Sequence, residues 1–580
     1  MKEEHGDGAP FERPLLWAIL ALGLAVGAAR VYGIFTENVN WDEFFLLQRA
    51  EVLARTGELR GSGRPGLANY VLAPFAEGCR NAVDALVSAR VLWTAFVAGS
   101  IAAFWILLRA ALSRGDHRRL AVATGVGLWV LSPAFLRYSV QVRTDQLAVL
   151  GGLWGGVLLV WSARRPWLAL PAGIAMALGF LASQKLVYVL GVVAILVLAW
   201  HEAAREVNWR REGLRLGLCL LGAALTTLGF YGFAATAGGT TSDLAPVAAQ
   251  LQQFAFYRQF VWYWWYIWMW PSLIAQTLSA VALLVVTVDW LKRRGRHGGS
   301  ILAAWTMLLA GVVVVIFHAG RFPYFWIVLG LFPAAVGALA LNALLDRLGS
   351  AKQRVAVLAA FWMPLAGWAV YESMGMIGND LRHQRESLAF VEASFPAGER
   401  GFSGLSVFAC RHDEDPFPIR FANRLQAEFV GEEGEQRTGR LLQEFRGRPV
   451  AFLLRPLRGY LYPDAVQAFW ASHYVDYFRQ IQIPGRRVDA RPSASQGFEP
   501  VVAGAYRWWP DDGAAGLRGE GRPLHPGESS ERAAAKGVTL PPTAAAGGGF
   551  ALEVAAAPRP DPAPGGTRGL GRRGRRGGGV

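Results

Sequence analysis

From the N-terminus to about residue 371, long apolar stretches alternate with short polar connections, and beyond that point the pattern stops. Leu15 to Tyr32, Leu120 to Leu136, Leu214 to Phe233, Ile267 to Leu291 and Ile301 to Phe317 are examples. Their lengths fall within the roughly 17–25 residues that carry a helix across hydrocarbon. The pattern predicts about eleven transmembrane helices within residues 14–371, preceded by a short cytoplasmic segment, residues 1–13. Leu15 to Tyr32 lacks a small-residue cleavage site resembling a signal peptide, so it is expected to remain as a span. Within the first outer loop, residues 36–88, Leu46, Ala50, Leu53 and Ala54 share one helical face, while Arg49, Glu51 and Arg55 take the other. That spacing predicts a helix lying in the membrane interface.

Residues 378–510 predict a small outward-facing α/β domain. Leu381 to Phe395 and Pro463 to Phe478 read as helices, and Leu405 to Phe408 and Val450 to Leu454 as strands. Its Arg411 to Asp415 charge run reads as a solvated loop. Residues 511–580 are dominated by Gly, Pro, Ala and Arg, cannot bury enough apolar surface to offset chain entropy, and are expected to be a disordered tail.

Composition strengthens the membrane reading, since 53% of the 580 residues are apolar and 23 are Trp, against about 45–50% apolar in soluble domains. Arg114, Arg118 and Arg119, Arg164 and Arg165, Arg205, Arg210 and Arg211, Lys292 to Arg296, and Arg347 to Arg354 supply cations to every second connection. By the positive-inside bias these connections face the cytoplasm. Arg49, Arg55, Arg60 and Arg64 break the rule locally in the first outer loop. The net charge of +15 therefore implies contact with anionic lipid headgroups. No basic–aromatic nucleic-acid motif and no Gly-rich phosphate cradle is visible, which excludes nucleic acid and a cytosolic nucleotide mechanism from the expectation.

Ionisable groups beside a bilayer are costly to keep unless solvated, paired or useful. The alternate, outward connections gather Asp42 and Glu43 after the first span, Arg64 shortly beyond, Arg143 and Asp145 before the fourth, Lys185 after the fifth, and His318 with Arg321 after the ninth. Asp42, Glu43 and Asp145 are the candidate catalytic carboxylates, although Asp42 with Glu43 and Thr144 with Asp145 also have the form of helix starts. Arg64, Arg321 and Lys185 are candidate ligands for a donor phosphate, against interfacial snorkelling for each taken singly. Arg143 and His318 are further candidates. No second histidine shares the loop of His318, so no metal site is assigned, while a need for a divalent metal stays open. Trp262 to Tyr266 reads as an aromatic belt. Cys79 and Cys410 both fall on the outer side, where a disulfide between them is one alternative.

Several of these segments resemble the polytopic glycosyltransferases of the GT-C class, in particular bacterial relatives of protein O-mannosyltransferases and of the lipid A aminoarabinose transferase. Asn40-Trp41-Asp42-Glu43 with Leu53 to Gly57 is similar to the family's acidic first-loop motif. Arg64-Pro65-Gly66-Leu67 resembles its basic-Pro-Pro-Leu stretch with Gly66 in place of the second proline, and Ser88-Ala89-Arg90-Val91 the opening of the next span. Arg143-Thr144-Asp145 is similar to the second acidic motif, and Gly320 to Tyr324 to the late Arg-Tyr motif, here with Phe322 beside the arginine. The resemblance covers roughly Leu15 to Leu345. It implies transfer of a sugar from a polyprenyl-phosphate donor to a glycan, lipid or protein acceptor, with inversion, at the periplasmic face of a bacterial inner membrane. It further implies that Asp42 is the base or acceptor binder, that Asp145 positions the acceptor, and that Arg64 with Arg321 holds the phosphate; Lys185 joins them from topology alone. The competing expectation is a multi-span transporter, whose polar site belongs near mid-membrane.

Overall fold

A computed structural model of the chain describes residues 12–57, 66–79, 81–112, 117–204, 209–236, 270–293, 297–317, 323–377, 381–395, 399–403, 407, 429–454, 462–478, 481–484, 487–488, 506–510 and 550–554. Two compact units share it, Met1–Arg385 with Leu405–Arg411, and Glu386–Gly404 with His412–Val580.

The first unit is a helical bundle. Its elements are α1 (Glu12–Thr36), α2 (Trp41–Thr56), α3 (Leu67–Ala76), α4 (Ala82–Ala111), α5 (Arg118–Val130), α6 (Pro133–Tyr138), α7 (Thr144–Trp161), α8 (Ala169–Ala182), α9 (Leu186–Ala204) and α10 (Trp209–Thr236). They continue as α11 (Trp270–Arg293), α12 (Gly298–Phe317), α13 (Trp326–Leu345) and α14 (Ala351–Ile377). Among the described residues, seven helices are long and apolar enough to cross a membrane: α1, α4, α7, α10, α12, α13 and α14. Leu216, Leu220 and Leu228 on α10, Leu302 and Leu309 on α12, and Met363 on α14 are all exposed. Water would not tolerate such a belt, but lipid does. The chain is a multi-pass membrane protein. Its core runs through Phe104, Trp129, Leu153, Val193 and the almost wholly buried α13.

Two departures from the sequence expectation concern the helices, one a break and the other a buried face. Leu120 to Leu136 is not one span: α5 stops at Val130, and Ser132 caps the short α6, its hydroxyl accepting from Phe135 N at 3.3 Å, with Pro133 at the first helical position. Proline there favours a helix start over continuation. In α2 the buried face runs through Phe44, Leu47, Ala50 and Leu53, whereas Ala54 is exposed.

Small residues set how closely α8 packs on its neighbours. A Cβ on Gly151 would lie 2.4 Å from the Ala175 carbonyl oxygen, and one on Gly173 only 1.8 Å from that of Cys219. Any side chain at either position would push α8 away from α7 or α10. This matters because the turn after α8 carries Ser183 and Lys185.

The second unit is α/β. It comprises α15 (Arg382–Ser394), which begins in the first unit, then β1 (Gly401–Phe402), α16 (Gly431–Gly447), β2 (Phe452–Leu454), α17 (Asp464–His473), β3 (Tyr474–Phe478), β4 (Ile481–Pro484), β5 (Arg487–Val488), β6 (Tyr506–Pro510) and β7 (Phe550–Val554). One sheet has the order β1-β2-β4-β3, with β1 and β2 parallel and the other pairs antiparallel. The second has the order β5-β7-β6. The helix expected over Pro463 to Phe478 ends at His473, because Tyr474 to Phe478 pairs with β4 as a hairpin, and strand pairing overrides a helical apolar spacing. Phe550–Val554 departs likewise from the expected disordered tail: its five residues form the central strand of the second sheet. The strand expected at Leu405 to Phe408 and the Arg411 to Asp415 run lie outside the described residues, apart from Val407.

Candidate active site

The site is assembled where α1 ends and α2 and α7 begin. Asn40 caps α2: its side-chain oxygen accepts from Asp42 N at 3.2 Å, and Glu43 reaches back to accept from Asn40 N at 2.9 Å. This is a capping box. At the other end Gly57 stops α2 with φ 71°, donating its N–H to Leu53 O at 2.8 Å.

Glu43 is fully buried, and four donors converge on its carboxylate. Arg90 Nε and Val142 N reach Oε1 at 2.9 and 2.8 Å, while Arg90 Nη2 and Asn40 N reach Oε2 at 2.6 and 2.9 Å. Arg90, also fully buried, spends its remaining donors on the chain leaving α1, reaching Glu37 O at 2.7 Å, Asn38 O at 3.1 Å and Ile34 O at 3.5 Å. Glu43 therefore ties α1, α2, α4 and the loop before α7 into one piece, and it has no lone pair left to offer a substrate.

Asp42, its neighbour, is placed differently. Its side chain is 21% exposed, and only Oδ2 is engaged, by Arg143 Nη2 at 2.5 Å. Oδ1 accepts no hydrogen bond among the described residues. Arg143 is buried, with its guanidinium 3.5 Å from the Tyr324 ring centroid and 5.7 Å from that of Tyr138. Its Nη1 donates to Gln141 Oε1 at 3.0 Å, and its carbonyl accepts from Trp93 Nε1 at 2.9 Å. Burial opposes the charge on Arg143, but Asp42, Tyr324 and Asp145 outweigh it, so its pKa stands above the ordinary arginine value.

Asp145 lies in the first turn of α7, and Lys185 in the turn between α8 and α9. Lys185 Nζ donates to Asp145 Oδ2 at 2.7 Å, and Ser183 Oγ to Oδ1 at 3.1 Å. The Lys185 ammonium sits 4.9 Å from the Tyr324 ring centroid, so this one ring lies against both cations of the site. Two carboxylate–cation pairs, Asp42 with Arg143 and Asp145 with Lys185, thus flank Tyr324. Behind them, Gln141 Nε2 donates to Glu37 Oε1 at 3.1 Å, and Arg30 pairs with Glu37 Oε2 at 3.1 Å. Burial raises the Glu37 carboxyl pKa, and Arg30, Arg90 and Gln141 offset it in part.

Of the residues singled out by sequence, Asp42, Glu43, Arg143, Asp145 and Lys185 come together. Arg64, His318 and Arg321, together with Trp262 to Tyr266, lie outside the described residues. Cys79 is disulfide-bonded and Cys219 is free, while Cys410 lies outside the described residues. The described residues bring together no three His, Cys, Asp or Glu side chains able to hold a metal. Glu37 and Gln141 escape sequence reasoning because nothing local marks them, whereas Arg30 is marked as an arginine inside the first apolar run. Arg90 and Tyr324 stood only inside motifs, although an arginine at the ninth position of an apolar helix is itself a signal.

No protein-family model matches the chain, and no curated protein matches it. Among solved structures it is similar to ArnT from Cupriavidus metallidurans in the apo state, at 13% identity and TM-score 0.49, over 81% of this chain and 97% of that one. It is also similar to the archaeal oligosaccharyltransferase AglB from Archaeoglobus fulgidus in complex with an inhibitory peptide and a dolichol-phosphate, at 13% identity and TM-score 0.39, over 90% of this chain and 76% of that one. A third similarity is to the arabinosyltransferase EmbB from Mycobacterium smegmatis, at 14% identity and TM-score 0.40, over 66% of this chain and 41% of that one. Likenesses at these scores carry no functional weight, and the chemistry rests on the residues described above.

Proposed function

We propose that the chain is a glycosyltransferase that moves a sugar from a polyprenyl-phosphate donor to an acceptor hydroxyl or amine at the outer membrane face. The observation that carries this reading is Asp42, a carboxylate with one oxygen anchored by Arg143 and the other unpaired among the described residues, at a helix end beside a second carboxylate–cation pair. In this reading Oδ1 takes the acceptor proton as the acceptor attacks the anomeric carbon from the side opposite the phosphate, which inverts the centre. The sugar–phosphate bond breaks, and polyprenyl phosphate departs with the bonding electron pair. Such a leaving group needs charge stabilisation more than a proton, and Arg64 and Arg321 are proposed to supply it. Lys185, whose ammonium donates to Asp145, is proposed to add its charge to the stabilisation of the same phosphate. Asp145, held by Lys185 and Ser183, is suited to positioning the acceptor. Transport has less support, because these charges gather at helix ends and not at interruptions in mid-membrane.

The test is turnover by purified protein in oriented proteoliposomes. Polyprenyl-phosphate mannose, glucose and arabinose are offered on one face at a time, with release of free polyprenyl phosphate as the readout. Release from the face opposite the cationic loops supports the proposal. Movement of an intact glycoside across the bilayer without release would favour the transporter.

A further inference from the structure

The proposed base is not free to choose its orientation. A buried chain of contacts runs from α1 to it: Arg30 to Glu37, Glu37 to Gln141, Gln141 to Arg143, and Arg143 to Asp42. Gln141, Glu37 and Arg143 are all buried, and Gln141 uses both ends of its amide. Its oxygen accepts from Arg143 and its nitrogen donates to Glu37. Only a group that both accepts and donates satisfies the two neighbours at once, and the primary amide does so from its two ends. A carboxylate would repel Glu37, and an apolar group would strand a guanidinium N–H and a carboxylate oxygen in a buried site.

We infer that Gln141 is a positioning residue, which holds the Arg143 guanidinium on Oδ2 of Asp42 and so keeps Oδ1 open for the acceptor. The inference rests on Asp42 being the proposed base. Arg143 donates from Nη1 to Gln141 and from Nη2 to Asp42, so fixing one nitrogen fixes the plane that presents the other. The Tyr324 ring 3.5 Å from the guanidinium sets its face but leaves rotation within that plane free, and Gln141 removes that freedom. A glutamine packed merely to fill space would have no influence on how Asp42 works.

The experiment uses the full chain in detergent, with Gln141→Glu and Gln141→Leu compared with wild type and Asp42→Asn. Rates are taken per folded protein on whichever of the three polyprenyl-phosphate glycosides wild type consumes. In Gln141→Glu the introduced carboxylate competes with Asp42 for Arg143. We expect turnover to fall about tenfold with donor KM within about twofold, and the acid limb of the pH–rate profile to move to higher pH. A structure of Gln141→Glu by electron cryomicroscopy, which needs no activity, should show the Arg143 guanidinium withdrawn from Oδ2. Should that variant fail to fold, Gln141→Leu must show the same loss of turnover at unchanged KM. Arg143 still seated on Asp42, with an unmoved pH profile, would overturn the inference. Full activity of Asp42→Asn would instead remove the base reading, and the displaced Arg143 would still stand as evidence for Gln141 as its anchor.

Discussion

Adjacent carboxylates, Asp42 and Glu43, should give opposite phenotypes when each is replaced by its amide. In Glu43→Gln the amide nitrogen cannot accept, so two of the four donors that converge on this group lose their acceptor. Each buried donor left unsatisfied costs about 1–3 kcal/mol. Arg90, with no exposed surface, also loses the charge that balances it. Breaking one side of such a buried pair costs about 3–5 kcal/mol, and that figure contains the unsatisfied donors. Asp42→Asn removes the charge from a pair whose acidic side is 21% exposed. The Asn oxygen can still accept from Arg143 Nη2, and Asp145 still balances that guanidinium, so the cost should stay below the about 3–5 kcal/mol of the Glu43–Arg90 pair. Turnover, however, should fall by roughly 10²–10⁴-fold if Oδ1 takes the acceptor proton. The assay pairs thermal unfolding in detergent with donor turnover per folded molecule. Glu43→Gln should unfold at a clearly lower temperature, while Asp42→Asn should unfold closer to wild type and be almost inactive. A Glu43→Gln protein as stable as wild type would refute the argument from converging donors, and a stable, fully active Asp42→Asn would refute the role given to Oδ1.

Arg64→Ala and Arg321→Ala should each weaken donor binding by about 1.5–3 kcal/mol, read as a rise in the Kd for a polyprenyl-phosphate glycoside, and unchanged affinity in both would return these residues to interfacial snorkelling. For Glu37, burial raises the folded carboxyl pKa above its unfolded value, so its contribution to stability is fully present below the unfolded value of about 4.3 and is lost as pH rises through the folded one. The melting temperature of wild type relative to Glu37→Gln should therefore decline as pH is raised from about 4.5, and a difference independent of pH would contradict it.

Hydrophobic run lengths were enough to establish a multi-pass membrane protein, since the bilayer imposes a length on each helix whatever its neighbours do. The same alternation of connections placed Asp42, Arg143, Asp145 and Lys185 at one end of the bundle, and the structure brings those four together. Distances and partners were not legible. Nothing in Asp42-Glu43 says that the second carboxylate turns inward onto Arg90 while the first faces outward, because that is decided by where α4 packs beside the α1–α2 turn. Nor does the sequence show that Gln141 stands between Glu37 and Arg143, contacts that join residues 104 positions apart and two apart through a shared buried pocket. Phe550 to Val554 is illegible for a related reason: its strand partners lie roughly forty to sixty residues back in the chain, and local composition carries no trace of them. Sequence determined which charged groups fall at the ends of the apolar runs, because solvation acts on each residue alone. Tertiary structure decided which of them are spent on holding the fold and which remain open for chemistry, because hydrogen-bond saturation is a property of the neighbours each group meets.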